Sequence, residues 1–259
     1  MKQWQPLWVA FCTIFVREVR RFMRIWPQTL LPPAITMSLY FVIFGGVIGS
    51  RIGSMSGFGY MTYVVPGLVM MSVITNSFSN VAFGFFSSKF QKNIEELLVS
   101  PVPNWVILAG YVLGGSARGL ISGLIVMGLG LFFVDLHLHN LLITILAVVM
   151  TAVLFALGGF INAVYAKKFD DVSIIPTFVL TPLTYLGGVF YSIEVLPAFW
   201  QKVSLLNPIL YQVNAFRYGI LGEASGVSVS MAFSVMAMAI IVLTAASIYL
   251  LNSGKGLRS

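Results

Sequence analysis

Residues 141–166 read LLITILAVVMTAVLFALGGFINAVYA, twenty-six consecutive positions without one acidic or basic side chain. A helix rises about 1.5 Å per residue, so about 20 such residues cross the ~30 Å hydrocarbon core of a bilayer. The run is continuous, not alternating over about 10 residues, which excludes β-barrel strands and leaves helix as the only spanning structure. Five further stretches share this character: Pro27 to Gly49, Tyr60 to Ser87, Val106 to Val134, Val172 to Ser192 and Val227 to Leu251. The sequence therefore predicts an all-α integral membrane protein with six transmembrane helices.

Composition agrees. Of 259 residues, 58% are hydrophobic and 9% charged, against about 45–50% and about 25% in a soluble domain. Fifteen basic and eight acidic residues cannot cover the surface of a soluble fold of this length, and the mean hydropathy is +0.94. A single cysteine, Cys12, excludes an internal disulfide and the usual zinc or iron–sulfur frameworks. The net charge of +7 is first a topology signal, so no nucleic-acid partner is expected. On one side of the spans lie Lys2, Arg17, Arg20, Arg21, Arg24, Lys89, Lys92, Lys167, Lys168, Lys255 and Arg258; on the other lie only Arg51, Lys202 and Arg217. The richer side is cytoplasmic, which places both termini there, with 252–259 as a cytoplasmic tail.

Residues 1–26 precede the first span. Leu7 to Val16 is apolar, but the positive charges follow it and no small-residue cleavage site appears, so a signal peptide is not expected. At 100° per residue, Trp8, Phe11, Phe15, Val19, Phe22 and Trp26 gather on one side, and Arg17, Arg20, Arg21 and Arg24 gather on the other. This pattern predicts a basic amphipathic helix in the cytoplasmic interface, serving as a lipid anchor, a docking surface for a cytosolic partner, or both. With no soluble insertion, 1–259 reads as one membrane domain.

No nucleotide site is expected. Gly254-Lys255 fails the phosphate-loop pattern, since Tyr249 stands where its first glycine belongs and Gly256 where Ser or Thr belongs. His137 and His139 read as solvated loop residues, not metal ligands. No catalytic constellation lies within the spans, so neither an enzyme activity nor a cofactor of this chain is expected. Asp135, Asp170, Asp171, Glu194 and Glu223 fall at or beyond span ends, which weighs against the alternative of an ion-gradient-driven transporter or channel.

Several places carry more information. In the inner loop SKFQKNIEELLVSPVPNW (88–105), Phe90, Ile94, Leu97 and Leu98 recur at helical spacing before Pro101 and Pro103 end the helix. Ser72, Asn76, Ser79 and Asn80 make one polar stripe, which suits a dimer seam or a substrate pathway. Arg118 falls inside a span. Either that span's surplus length lies on the cytoplasmic side and Arg118 snorkels, or Arg118 lines a cavity for an anionic head group. Pro176 and Pro182, with Gly187-Gly188 beyond, interrupt span five and offer kinks for a hinge. Ile193 to Gly226 is too apolar for a free loop and too broken by Pro197, Asn207 and Pro208 for a span; a re-entrant helical hairpin before span six fits.

The order and spacing of these motifs resemble the type-2 ABC exporter permease family over essentially the whole chain. Ile94-Glu95-Glu96-Leu97-Leu98-Val99-Ser100-Pro101-Val102 is similar to that family's cytosolic coupling segment. Leu196-Pro197, then Leu206-Asn207-Pro208, Tyr211 and Arg217 are similar to its outer segment. The resemblance implies a bacterial inner-membrane half-transporter that dimerises and receives a separate ATPase, which binds the ATP and Mg. It implies ATPase coupling through Glu95, Glu96, Leu97, Leu98 and Pro101, and an outer gate containing Asn207, Pro208, Tyr211 and Arg217.

Overall fold

The computed structural model describes residues 4–223 and 226–256, apart from the side chains of Trp4, Gln5, Ser50 and Leu98. Lys2, Arg258 and the end of the expected tail lie outside the described residues. The chain opens with α1 (Trp4–Arg24). A first span, Trp26–Ile48, follows as α2 (Trp26–Thr29), α3 (Leu31–Val42) and a π-helical stretch at Ile43–Ile48. After α4 (Gly49–Ile52), Ser54–Met55 pairs antiparallel with Phe58–Gly59. This ladder was not expected from the Gly/Ser-rich connection; Ser56 and Gly57, both at positive φ, close its turn.

The long helices follow: α5 (Tyr60–Phe90), α6 (Asn93–Val99), α7 (Asn104–Gly130) and α8 (Leu141–Tyr165). Next come α9 (Phe169–Ile175), a π-helical stretch at Pro176–Leu180 and α10 (Thr181–Leu186). Beyond a short 3-10 turn at Ile193–Val195 lie α11 (Ala198–Leu205), α12 (Pro208–Leu221) and α13 (Val229–Ser253). Side-chain caps mark the starts of α8, α12 and α13: Asn140 accepts from the Ile143 amide, Asn207 from Ile209 and Ser228 from Met231.

Among the described residues, five helical segments are long and apolar enough to span: Trp26–Ile48, α5, α7, α8 and α13. The fifth expected span, Val172 to Ser192, differs. Helical turns run from Phe169 to Leu186 and stop six residues before the expected Ser192. Pro182 has no amide hydrogen to continue the ladder, and the turns before it widen to π geometry, with Thr181 Oγ1 donating to Pro176 O five residues back. α7 also ends at Gly130, four residues short of expectation.

At the centre stands α5. Its most apolar window is 78% buried, against 11% for the first span and 17% for α13. Small residues let α7 approach it: Gly115, Gly119 and Gly123 lie against Val81, Ser77 and Val73. Gly159 of α8 meets the Phe78 backbone on another side. The ends expected to be cytoplasmic meet one another. Lys89 Nζ donates to the Val164 and Ala166 carbonyls at 2.7 and 2.8 Å, and Asn104 donates to Asn252 at 2.7 Å.

Candidate functional site

Three places gather the singled-out residues. The first is the corner between α5 and α7. α5 closes as the Gln91 and Lys92 amides donate to Ser87 O and Lys89 O, both at 3.0 Å, and Lys92 takes a left-handed conformation that reverses the chain. α6 then begins at Asn93. Ile94 is completely buried and Leu97 packs against the core, whereas Glu95 and Glu96 point outward and Val99 is 87% exposed. Ser100 ends the helix, its amide bonded to Glu96 O and its hydroxyl to Leu97 O at 2.6 Å, before the exposed Pro101. Phe90 departs from expectation. It belongs to α5, not to the stripe of α6, and its ring lies 5.2 Å from Phe169. The Leu98 side chain lies outside the described residues.

The second place joins α1 to the bundle. The helix expected there forms, but its buried line is Ile14, Glu18 and Phe22; Trp8 and Trp26 are exposed. Gly110 and Gly114 of α7 abut Ile14 and Glu18, so α1 docks on protein along one flank. Glycines four residues apart are the sequence signal for this contact. Glu18 pairs with Arg21 at 2.8 Å and with Arg17 at 3.6 Å. Burial nonetheless pushes its carboxyl above the ordinary value, against the pull of Arg21 and Arg17. Arg17 also donates to Tyr111 Oη at 2.6 Å, and Tyr111 to Ser88 Oγ at 2.9 Å. Arg20 and Arg24 stay exposed beside Cys12 on an open concave face of about 880 Å³.

Two members of the polar stripe meet arginines within the same chain. Arg118 Nη2 donates to Asn76 Oδ1 and to Thr29 O, both at 3.2 Å, and Arg21 donates to Asn80 O at 2.7 Å. Thr29 stands three residues inside the first span. Its contact with Arg118 therefore puts that guanidinium beside the first turn of that span and near the middle of α7.

The third place is the outer hairpin of α11 and α12. Asn207 at its bend is buried; its amide donates to Leu183 O and its oxygen caps α12. Leu206 beside it is 85% exposed, so the bend is only partly enclosed. Tyr211 Oη returns to Leu205 O at 2.7 Å, and Pro208 opens α12. Arg217 is 1% exposed. It donates to Tyr63 O at 3.2 Å, Asn214 Oδ1 at 3.2 Å and Gly188 O at 2.7 Å, and it stacks 3.9 Å above the Tyr63 ring. At its far end α12 meets the loop before α8, where the Asn140 amide donates to Gly219 O at 2.8 Å.

Comparison with known proteins identifies the family. The sequence model of the family described as ABC-2 type transporter matches residues 9–221. The chain is 58% identical over 252 residues to Inner membrane transport permease YadH of Escherichia coli (strain K12), covering 97% of this chain and 98% of that one. It is 23% identical over 189 residues to Nodulation protein J of Rhizobium leguminosarum bv. viciae, covering 71% and 72%. With Neorhizobium galegae Nodulation protein J the identity is 21% over 217 residues, covering 83% and 82%. The match runs from α1 through the end of the outer hairpin and takes in all three places, so this multi-pass membrane protein belongs to the ABC-2 type transporter family.

Proposed function

We propose that the chain is the inner-membrane permease half of an ATP-driven exporter. It works as a homodimer with a separate ATPase on the cytoplasmic face of each copy, and moves a lipophilic, saccharide-linked or drug-like substrate outward. The observation that carries this reading is α6. Ile94 buries it where it packs on α5, and the chain runs on through Pro101 and Pro103 into α7, while Glu95 and Glu96 project from it, so a push on its outer face is passed to two long helices. The sequence holds no phosphate loop, which leaves hydrolysis to another polypeptide. The name of the 58% identical relative, Inner membrane transport permease YadH, supports transport at the inner membrane.

Tagged permease extracted in mild detergent from its native host should carry an ATPase subunit identifiable by mass spectrometry. Glu95→Ala with Glu96→Ala, or Leu97→Asp, should leave the permease inserted yet weaken that association or uncouple hydrolysis from transport. A permease that purifies alone under conditions preserving known complexes points instead to a gradient-driven carrier. Normal coupling in every variant would remove α6 from the mechanism.

A further inference from the structure

Between α1, α2, α5, α7 and α9 lies a cleft of about 250 Å³. Its deep end holds Arg118, Arg21 and Asn80; Ile25, Phe83 and Phe169, each about 40–45% exposed, border its mouth. The two guanidinium groups are not equally answered. Arg21 has Glu18, whereas Arg118 touches only neutral acceptors, with no carboxylate in ion-pair distance among the described residues. Two donors here are buried without an acceptor, Arg118 Nε and the side-chain amide of Asn80, a residue 2% exposed. Unmet donors beside an uncompensated cation are costly, and an anion relieves both costs. The cleft lies at the end of the first span that the Lys and Arg excess assigns to the cytoplasmic side, where Arg118 meets Thr29 O.

We propose that this cleft holds the phosphate of an anionic inner-leaflet phospholipid, taken by Arg118 and Asn80, with its acyl chains leaving over Phe83 and Phe169. A basic pocket between spanning helices is a known solution to head-group binding, and an aromatic mouth favours an amphiphile over a free ion. The inference stands on the cleft itself and holds whether or not the chain is driven by ATP.

The test uses the full chain, stripped of lipid by detergent exchange and mixed with dioleoylphosphatidylglycerol, with bound lipid read by native mass spectrometry. The wild type should retain the lipid, and Arg118→Gln should retain at least about tenfold less. Arg118→Lys should recover part, and Arg20→Gln, which changes an exposed arginine outside the cleft, should retain it fully. Should Arg118→Gln fail to fold, Phe83→Trp narrows the mouth at an exposed position and should lower retention with an unchanged elution profile. Equal retention by wild type and by whichever of these two variants folds would overturn the proposal. Equal loss in Arg20→Gln would do the same, since attraction would then be diffuse. Dioleoylphosphatidylcholine held as tightly would refute the anionic preference, and displacement of the lipid by equimolar inorganic phosphate would refute a lipid occupant.

Discussion

Two arginines occupy places where charge is expensive, and their surroundings assign them different work. Arg217 is enclosed, stacked on Tyr63, and spends its donors on Tyr63 O, Gly188 O and Asn214. It ties α12 to the outer ends of α5 and α10. Removing it leaves acceptors unmet and opens a cavity in the same step. Arg217→Ala should therefore destabilise the fold by about 3–5 kcal/mol, seen as a lower unfolding midpoint in detergent, while Arg217→Lys recovers only part because one ammonium cannot span the same fork. An unchanged midpoint for the alanine variant would show that these bonds do not hold the hairpin. Arg118 differs because its donors are incompletely used and, among the described residues, no carboxylate neutralises it. The sequence singles out Arg118 as a charge within an apolar span, and Arg217 through the resemblance of the outer segment. What Arg217 does was not legible, because Tyr63 and Gly188 offer backbone carbonyls, and no residue type announces that a carbonyl 154 positions away is an acceptor.

At the scale of elements, the long apolar helices were readable because hydrocarbon thickness alone sets their length. Shorter departures had local causes. Pro182 forces the π turns of the interrupted fifth span, and the reversal at Lys92 assigns Phe90 to α5 instead of α6. The docking of α1 was partly legible: periodicity gave an amphipathic helix, but the glycine spacing of α7 decided which flank is buried, and that flank carries Glu18. This carboxyl should make docking pH-dependent. Burial holds it above its ordinary value of 4.5, although Arg21 and Arg17 pull the other way. A raised folded value means that its contribution to stability is full below the unfolded value and is lost as pH rises through the folded one. The unfolding midpoint of the solubilised protein should accordingly fall as pH is raised above about 4.5, and Glu18→Gln should flatten that part of the profile. Parallel profiles for the two proteins would mean that Glu18 does not report on α1 docking.

At the scale of the whole molecule, everything assigned to the cytoplasmic face depends on one sign. α6 and the arginines of α1 share a side because Lys89 joins the end of α5 to that of α8, and Asn104 joins the start of α7 to the end of α13. These contacts fix which helix ends lie together. They leave orientation to the excess of Lys and Arg on that side, to which Arg17, Arg20, Arg21, Arg24, Lys89, Lys92, Lys167 and Lys168 contribute. Cys12, free and partly exposed beside Arg17 and Arg20, is the chain's one cysteine and a native reporter of that face. A membrane-impermeant maleimide should label Cys12 in inverted inner-membrane vesicles and leave it unlabelled in sealed spheroplasts, with detergent exposing it in both. If spheroplasts label and inverted vesicles do not, the molecule is turned over. Glu95 and Glu96 would then face away from any cytosolic ATPase, and the hairpin of α11 and α12, not α6, would be the part presented to the cytoplasm.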